Sequence, residues 1–231
     1  MNISGPFALE ARNLGKSART RARLMDAAVA VFARDGFEAA SVNEIARLAD
    51  VANGTFYVHF KDKDAIAADV TFRIANDFAR QIDEAMSQIE DAAERFSCAT
   101  RQFMELAAAQ PRWGWALIRS AWYAPELHRQ MESFMRADLD RGVKQGLFTR
   151  TIDPFIIDTI LSMIFSALAA RLRGDVGEEA ASRVSELVLC MLGYSTAQAH
   201  AVAWSPIVLK GFNTQVLPRD PKPRRATTLV I

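Results

Sequence analysis

The 231-residue chain contains few of the residues that mark several common classes of protein. Its two cysteines, Cys98 and Cys190, are too few for a disulfide framework and are typical of a reducing compartment. Glycine and proline number only 11 and 8, which argues against a glycine-rich all-β chain or a collagen-like chain. Residues 1–16 hold no apolar segment, so we expect no secretory signal. Together these scarcities favour a helical protein of the cytoplasm.

Neither sign of charge is in excess, because 28 Lys and Arg residues face 27 Asp and Glu residues. With half of the residues apolar, this balance excludes a disordered chain and gives no overall polybasic signal for nucleic acid. The distribution is uneven, however. Residues 1–24 carry five basic and one acidic side chains, and residues 205–231 carry the same numbers, so basic ends flank an acidic body.

Histidine is also scarce, and the sequence has few of the residue patterns that enzymes use for catalysis. The three histidines, His59, His128 and His200, are far apart and have no metal-ligand spacing. We find no glycine-rich phosphate loop, nucleophile elbow or paired-carboxylate motif, and therefore expect no enzyme, no metal and no cofactor. The most apolar stretch, 155–170, is interrupted by Asp158 and two serines, which predicts a buried helix and no membrane partner.

The apolar periodicity predicts an all-α fold throughout. Prolines at 111, 125 and 154 suit helix starts, and Asp153 before Pro154 is a strong N-cap signal. The residues from 205 have four of the eight prolines and no clear period, which predicts an irregular tail. The expected helices cover about 20–34, 42–49, 53–59, 61–89, 92–109, 112–122, 125–145, 154–173, 177–192 and 196–203.

Two short helices follow the first long one, with a three-residue break between them. Ser41 to Glu44 (SVNE) matches a capping box at the start of the first short helix. The break, 50–52 (DVA), leads to a helix of about seven residues. This spacing suits a helix-turn-helix, whose second helix enters a DNA major groove, but a structural corner in a helical bundle has the same pattern.

The residues in this segment decide between these interpretations. The stretches 31–37 (VFARDGF), 41–46 (SVNEIA), 49–51 (ADV) and 54–63 (GTFYVHFKDK) closely resemble the DNA-binding signature of TetR/AcrR-family transcriptional regulators. The resemblance covers roughly residues 20–70. Two positions depart from the family's usual turn, since a glycine is common where Asp50 stands and a Ser or Thr where Ala52 stands. Asp tolerates the left-handed conformation, whereas Ala52 cannot supply a capping hydroxyl.

The resemblance implies an N-terminal helix-turn-helix domain, 17–64, after a flexible basic leader, 1–16. Asn53 and Thr55 would read bases, Gly54 would allow close approach of the backbone, and Tyr57 would contact phosphate. The same holds for His59, for which packing at a helix end is the alternative. An ordinary solvated tail is the alternative for the leader. The expected DNA-binding residues are Arg19, Arg21, Ser41, Val42, Asn53, Gly54, Thr55, Tyr57, His59, Lys61 and Lys63.

The resemblance also implies that residues 65–204 form a helical domain for effector binding and dimerisation, before the tail at 205–231. Aromatic and thioether side chains are concentrated between residues 96 and 135, which favours a mainly apolar or aromatic effector, although ordinary core is the alternative for each residue. The expected ligand-binding residues are Phe103, Trp113, Trp115, Arg119, Trp122, Tyr123, Phe134 and Phe165.

Helix 154–173 is apolar on more than one face, so we expect one face to pack on its own chain and another on a two-fold partner. The expected interface residues are Ile157, Leu161, Ile164, Leu168, Val184, Leu187, Val188 and Met191. The sequence thus predicts a homodimeric repressor that binds a palindromic operator and is released by a small effector. A regulator of the same fold that is ligand-independent or controlled by cysteine oxidation is the alternative, and a helical adaptor without DNA binding is a further one.

Overall fold

The computed structural model describes residues 6–123 and 125–207, and these residues are helical, with no strand among them. A short 3₁₀ turn, Ala11–Asn13, follows the first helix. The helices are α1 (Pro6–Glu10), α2 (Lys16–Asp35), α3 (Val42–Leu48), α4 (Asn53–His59), α5 (Lys63–Ala85), α6 (Ala92–Ala109), α7 (Pro111–Tyr123), α8 (Pro125–Lys144), α9 (Pro154–Arg173), α10 (Ala180–Leu192) and α11 (Thr196–Ala203). The all-α prediction is confirmed.

The described residues divide into two compact units between Lys63 and Asp64. In the N-terminal unit, α2 packs on α1 and α3, and α3 packs on α4. Leu24, Ile45 and Phe56 are completely buried there, and Phe60 is nearly so. A small domain of this kind owes its stability to such a core, since its helices of seven residues are too short to be stable alone.

Residues 6–13, before α2, are helical, which differs from the prediction of a flexible leader at 1–16. Phe7 and Ala11 are buried, at 4% and 5% exposure. The buried carboxylate of Asp26, on α2, accepts hydrogen bonds from the backbone amides of Phe7 (3.2 Å) and Ala8 (2.8 Å). Asp26 therefore satisfies amides in the first turn of α1 that have no partner within that helix. Sequence pattern could not reveal this cap, because the carboxylate lies 18 residues further along the chain.

In the C-terminal unit, α6 is central: it packs on α7, α8, α9, α10 and α11. The helix ends follow local signals. The Asp153 carboxylate accepts from the amide of Ile156 at 2.9 Å, and Gly174 ends α9 in the left-handed conformation. Gly114 allows α7 to approach its neighbours closely, because a Cβ atom there would lie 2.6 Å from the carbonyl oxygen of Ala107. Most of the predicted irregular tail, residues 208–231, lies outside the described part of the chain.

Among the described residues, α9 is the one helix with the length and apolar composition to cross a membrane. Of its most apolar window, 33% is buried inside the protein. Ile157, Ile160 and Leu168 are completely buried in the chain itself. Core helices have this composition too, so the interpretation as a buried helix accounts for it.

Candidate DNA-binding surface and effector cavity

The helix-turn-helix segment is held by local caps at its first helix. The Ser41 hydroxyl accepts from the amide of Glu44 at 3.2 Å, which is one half of the expected capping box. The Glu44 carboxylate forms ion pairs with Arg34 and Arg47. At the start of α4, Ala52 makes no side-chain cap, as its lack of a hydroxyl predicts.

The turn between α3 and α4 depends on Asp50 and Arg23. Asp50 has a φ of 53°, so it occupies the left-handed conformation that a glycine adopts more readily. The Arg23 guanidinium, on α2, donates to the carbonyl oxygens of Ala49 and Asp50, the latter at 3.0 Å. It also lies 3.4 Å from the Asp50 carboxylate. Arg23 therefore fixes the turn to α2 and supports the position of α4.

Helix α4 presents a polar face to solvent and an aromatic face to the core. Asn53 and Gly54 are exposed, Tyr57 is 56% exposed, and Thr55 and His59 are half-buried. Sequence reasoning missed Val58, which is 78% exposed on the same helix. An exposed apolar side chain on a short helix is the signal that could have identified it. Phe56 and Phe60 are buried, as expected from their apolar character.

Two predicted phosphate-binding residues have other roles in the structure. The Lys63 ammonium donates to the carbonyl oxygens of Phe37 (2.8 Å), Ala40 (3.1 Å) and Glu38 (3.3 Å). An ammonium has three hydrogens, so these carbonyls account for all of its donors. The Arg21 guanidinium lies 4.8 Å from the centre of the Phe60 ring. In the chain without DNA, Lys63 therefore holds the loop after α2 and Arg21 packs against Phe60, and their contacts with DNA stay predictions.

Other predicted DNA-binding residues are exposed or partly exposed to solvent. Arg19 and Lys61 are exposed, and Lys61 has 82% of its side chain in solvent. Ser41 is exposed and Val42 is half-buried at the start of α3. The N-terminal unit therefore offers α4 with neighbouring exposed cations, the arrangement that base and phosphate contacts need.

The C-terminal unit contains a cleft of about 850 Å³, counting the open space at its mouth. Its walls come from α5, α6, α8 and α9. Most lining residues are apolar, and the polar ones are Asn76, Asp83, Thr100 and Asp138. The apolar lining residues are Ala75, Ala79, Ile82, Met86, Phe96, Ala99, Phe103, Met131, Phe134, Met135, Leu161 and Ile164. The lining is that of a site for a small apolar ligand.

The cavity includes only part of the predicted ligand-binding set. Phe103 and Phe134 line it. Trp113 is buried, and its ring packs at 6.3 Å from that of Phe103 without reaching the lining. Trp115 is 40% exposed and Phe165 is buried, and neither lines this cavity. The side chains of Arg119, Trp122 and Tyr123 lie outside what the structure describes.

Helix α5 supplies lining residues that sequence reasoning missed. Ala75, Ala79 and Ile82 follow one another at helical spacing and line the cavity, and Met86, the first residue after α5, lines it too. The signal was present in the sequence, since small alanines on an apolar stripe leave space that larger side chains would fill.

One end of the cavity carries an ion cluster. The guanidinium of Arg95, which is 4% exposed, donates to the Asp138 carboxylate at 2.8 Å, to Asp83 and to the carbonyl oxygen of Met86 at 2.6 Å. Burial alone would lower the pKa of Arg95, but its hydrogen bond to Asp138 and the two carboxylate charges raise it above its ordinary value. Arg95 is therefore permanently charged in the interior.

The predicted dimer interface faces mostly inward. Ile157, Leu161, Ile164, Leu168, Val184 and Val188 are buried at 5% exposure or less within one chain. The apolar face that they form is covered by the chain's own helices, and Leu161 and Ile164 line the cavity, so the interface stays a prediction. Of the predicted set, Leu187 is 59% exposed and Met191 is half-buried. On α9 the exposed face carries Phe155, Ser162 and Ser166.

The environment of Cys98 disfavours redox chemistry at its thiol. Burial of Cys98 raises its pKa to about 11, so its thiol is protonated and poorly nucleophilic near neutral pH. Cys190 is half-buried on α10. Within residues 6–123 and 125–207, no group of three His, Cys, Asp or Glu side chains could hold a metal ion.

An all-helical chain with a helix-turn-helix unit and a second helical unit around an apolar cavity has the architecture of a DNA-binding regulator. Two family models match it: "Bacterial regulatory proteins, tetR family" over residues 24–70, and "Tetracyclin repressor-like, C-terminal domain" over residues 91–205. The chain belongs to the TetR family of transcriptional regulators. The expected class, a DNA-binding regulator and not an enzyme, is thereby confirmed.

Similar proteins extend this assignment. The chain is 30% identical over 86 residues to the fatty acid metabolism regulator protein of Bacillus subtilis, covering 37% of this chain and 44% of that relative. A crystal structure of RolR bound to resorcinol superposes with a TM-score of 0.76 at 24% identity, over 84% of this chain and 97% of RolR. A crystal structure of Bacillus subtilis FadR with stearoyl-CoA has a TM-score of 0.58 at 21% identity, over 74% and 96%. These two likenesses establish the fold.

Proposed function

We propose that this regulator is a homodimeric repressor of transcription that binds a palindromic operator and is released by a small, mainly apolar or aromatic effector. The observation that carries the proposal is the apolar cavity in a chain that also holds a helix-turn-helix. The proposed site of action is the cytoplasm, where a bacterial regulator meets its operator.

The exposed residues of α4 support the proposed contacts with DNA. The Asn53 amide can pair with an adenine edge, and the methyl groups of Thr55 and Val58 suit thymine methyls. The Tyr57 hydroxyl and the Lys61 ammonium suit phosphate oxygens. Arg19 adds a charge on α2. Arg23 and the Asp50 turn support these contacts indirectly, because they fix the direction of α4.

Lys61 and Lys63 provide a matched pair for the phosphate assignment. Replacing Lys61 with Met is expected to reduce the magnitude of the slope of log K against log salt by about 2 for the proposed dimer, because each of its two subunits loses one phosphate contact. Lys63→Met should leave that slope unchanged and lower the stability of the N-terminal unit, because three carbonyl groups lose their donor. Fluorescence anisotropy at several salt concentrations measures both slopes. A slope of smaller magnitude in the Lys63 variant would contradict the assignment of Lys63 to the loop after α2.

The apolar lining of the cavity supports an apolar effector. Phe96, Phe103 and Phe134 offer ring surface, and the methionines Met131 and Met135 adapt to different shapes. RolR and FadR, which share the fold, bind resorcinol and stearoyl-CoA in their crystal structures. An aromatic or aliphatic effector for this chain is consistent with both.

The exposed faces of α9 and α10 support the proposed dimer. Phe155 is 74% exposed and Leu187 is 59% exposed, which leaves large apolar side chains without cover in one chain. Ser162, on the exposed face of α9, donates to its own helix at the carbonyl oxygen of Asp158 (2.7 Å). Its hydroxyl is therefore already satisfied, and a partner helix can cover this small side chain at low cost.

Replacing Leu187 with Glu is expected to convert the dimer to a monomer. The carboxylate would have to be buried in an apolar interface without a partner, which is costly. Val143→Glu is the matched control, since Val143 is 44% exposed on α8, away from the proposed interface. Sedimentation velocity at micromolar concentration should give a monomer for the first variant and a dimer for the control. A dimeric Leu187→Glu protein would argue against this interface.

Helix α5 offers a connection between effector and operator. It begins at Lys63, which is bonded to the loop after α2, and its later residues Ala75 to Asp83 line the cavity. An effector that binds more tightly to one position of α5 would shift the dimer towards that position. Only such a difference in affinity can release the operator.

A mobility-shift titration tests the proposal as a whole. The full chain is mixed with DNA from upstream of its own gene, and apolar and aromatic compounds are then added. We expect a specific complex that selected compounds dissociate, and lower reporter transcription when the protein is present. No shift, or a shift that no cavity-binding compound changes, would contradict the proposal.

A further inference from the structure

The ion cluster at the end of the cavity does not balance its own charge. Arg95 carries one positive charge, whereas Asp83 and Asp138 carry two negative charges between them. In the described part of the chain, Arg95 is the one cation paired with either carboxylate. The cluster therefore has a net charge of −1 beside an apolar cavity.

The two acidic residues of the cluster, Asp83 and Asp138, belong to the cavity wall and their cation, Arg95, does not. Arg95 bonds the Oδ1 atom of each carboxylate. Among the described residues, no hydrogen bond reaches the Oδ2 atom of either side chain, so acceptor capacity remains at this end. Asp138 is only 9% exposed, so water reaches it poorly.

A ligand can satisfy this end of the cavity only with a hydrogen-bond donor. Ionised carboxylates accept and do not donate, and a charge-assisted hydrogen bond to one of them is stronger than a neutral pair. An anionic group would be repelled by the cluster, more strongly at buried Asp138 than at Asp83, whose side chain is 62% exposed and therefore screened by water. Asn76 and Thr100 can bind either a donor or an acceptor and do not change this preference.

We propose that the cavity selects effectors with an apolar or aromatic body and a hydrogen-bond-donating hydroxyl or amine group, which binds Asp138 and Asp83, and that it rejects anions such as carboxylates. This inference rests on the proposed function, because it specifies the effector of the same cavity. Arg95 acts as the positioning residue that holds both acceptors at one end. The apolar body lies against Phe96, Phe103 and Phe134.

Four naphthalene probes with one body and different groups test the selection. They are 2-naphthol, 2-naphthylmethylamine, 2-methoxynaphthalene and 2-naphthoate, and isothermal titration calorimetry of the full chain measures each affinity. The naphthol and the amine should bind at least about ten-fold more tightly than the methoxy compound, the difference of one charge-assisted hydrogen bond. The naphthoate should bind most weakly.

Asp83→Asn removes the excess charge while Arg95 keeps its bond to Asp138. In this variant the ratio of amine affinity to naphthoate affinity should fall about ten-fold. Glu84→Gln is the matched control, because Glu84 is the next residue of α5 and does not line the cavity. Its ratio should equal that of the unaltered chain.

The outcomes separate this inference from the proposed function. If the naphthoate binds as tightly as the amine, or Asp83→Asn leaves the ratio unchanged, the donor selection is overturned and the effector cavity stands. If none of the four probes binds, both the selection and the proposed effector site fall. Operator binding, measured by mobility shift without any probe, reports on DNA recognition independently.

Discussion

Arg95→Met is expected to lower the free energy of unfolding of the C-terminal unit by about 3–5 kcal/mol. The substitution leaves the Asp138 carboxylate buried without a cation and removes the donor to the Met86 carbonyl. All four tryptophans, at 113, 115, 122 and 204, lie in the C-terminal unit. Urea denaturation followed by tryptophan fluorescence therefore reports on this unit selectively.

A double substitution separates the lost pair from lost packing. Arg95→Met with Asp138→Leu replaces the ions by apolar side chains and should recover most of the stability, as replaced buried ion pairs often do. Arg173→Met is the matched control, because Arg173 pairs with Asp175 in solvent, and its effect should stay within about 0.5 kcal/mol. A loss below about 1 kcal/mol in the single variant would mean that the cluster is not a buried network.

Phe56→Ala is expected to destabilise the N-terminal unit by about 3–5 kcal/mol and to abolish operator binding. Phe56 is completely buried on α4, so truncation leaves a cavity in a small core. Hydrogen exchange measured by mass spectrometry over α2, α3 and α4 resolves this unit from the rest of the chain. The peptides of these helices should lose protection.

Tyr57→Ala is the neighbouring comparison, because Tyr57 is 56% exposed on the same helix. It should keep protection within about 1 kcal/mol of the unaltered chain, a surface effect with one lost edge contact to Phe56. Operator binding should nevertheless weaken, since the hydroxyl is a proposed phosphate donor. Equal loss of protection in both variants would show that Tyr57 supports the core and does not face DNA.

Local signals predicted the helices well. Asp153 and Pro154 predicted the start of α9, and Gly174 predicted its end, because caps and turns depend on neighbouring residues. The span of α4, Asn53–His59, also agrees with the prediction. The start of α2 was missed by one turn, since Lys16 to Arg19 carry no apolar pattern that periodicity could detect.

Which face of a helix is covered could not be predicted in the same way. Helix α9 is apolar on more than one face, and its sequence does not say which face its own chain covers. The most apolar side chains, such as Ile157 and Leu168, turned out to be buried within the chain, whereas Ser162 and Ser166 are exposed. These exposed serines weaken the hydrophobic signal of the dimer face proposed on α9.

Hydrogen bonds and ion pairs between residues far apart in the sequence could not be predicted either. Arg95 and Asp138 are 43 residues apart, and Lys63 donates to carbonyls more than 20 residues earlier. A lysine that follows a helix-turn-helix looks like a phosphate ligand until its carbonyl partners are located. The functional residues of the cavity were therefore predicted by type, apolar and aromatic, and only partly by position.

The cap that Asp26 gives to α1 has a thermodynamic consequence for operator binding. A disordered basic arm would lose conformational entropy on meeting DNA, and its ordering would add to the negative heat-capacity change of association. Here Phe7 and Ala11 are already buried in the free protein, so folding has fixed the chain before Arg12 and Lys16. The calorimetric signature of operator binding should accordingly resemble the docking of a rigid body, with no component from folding of residues 7–16.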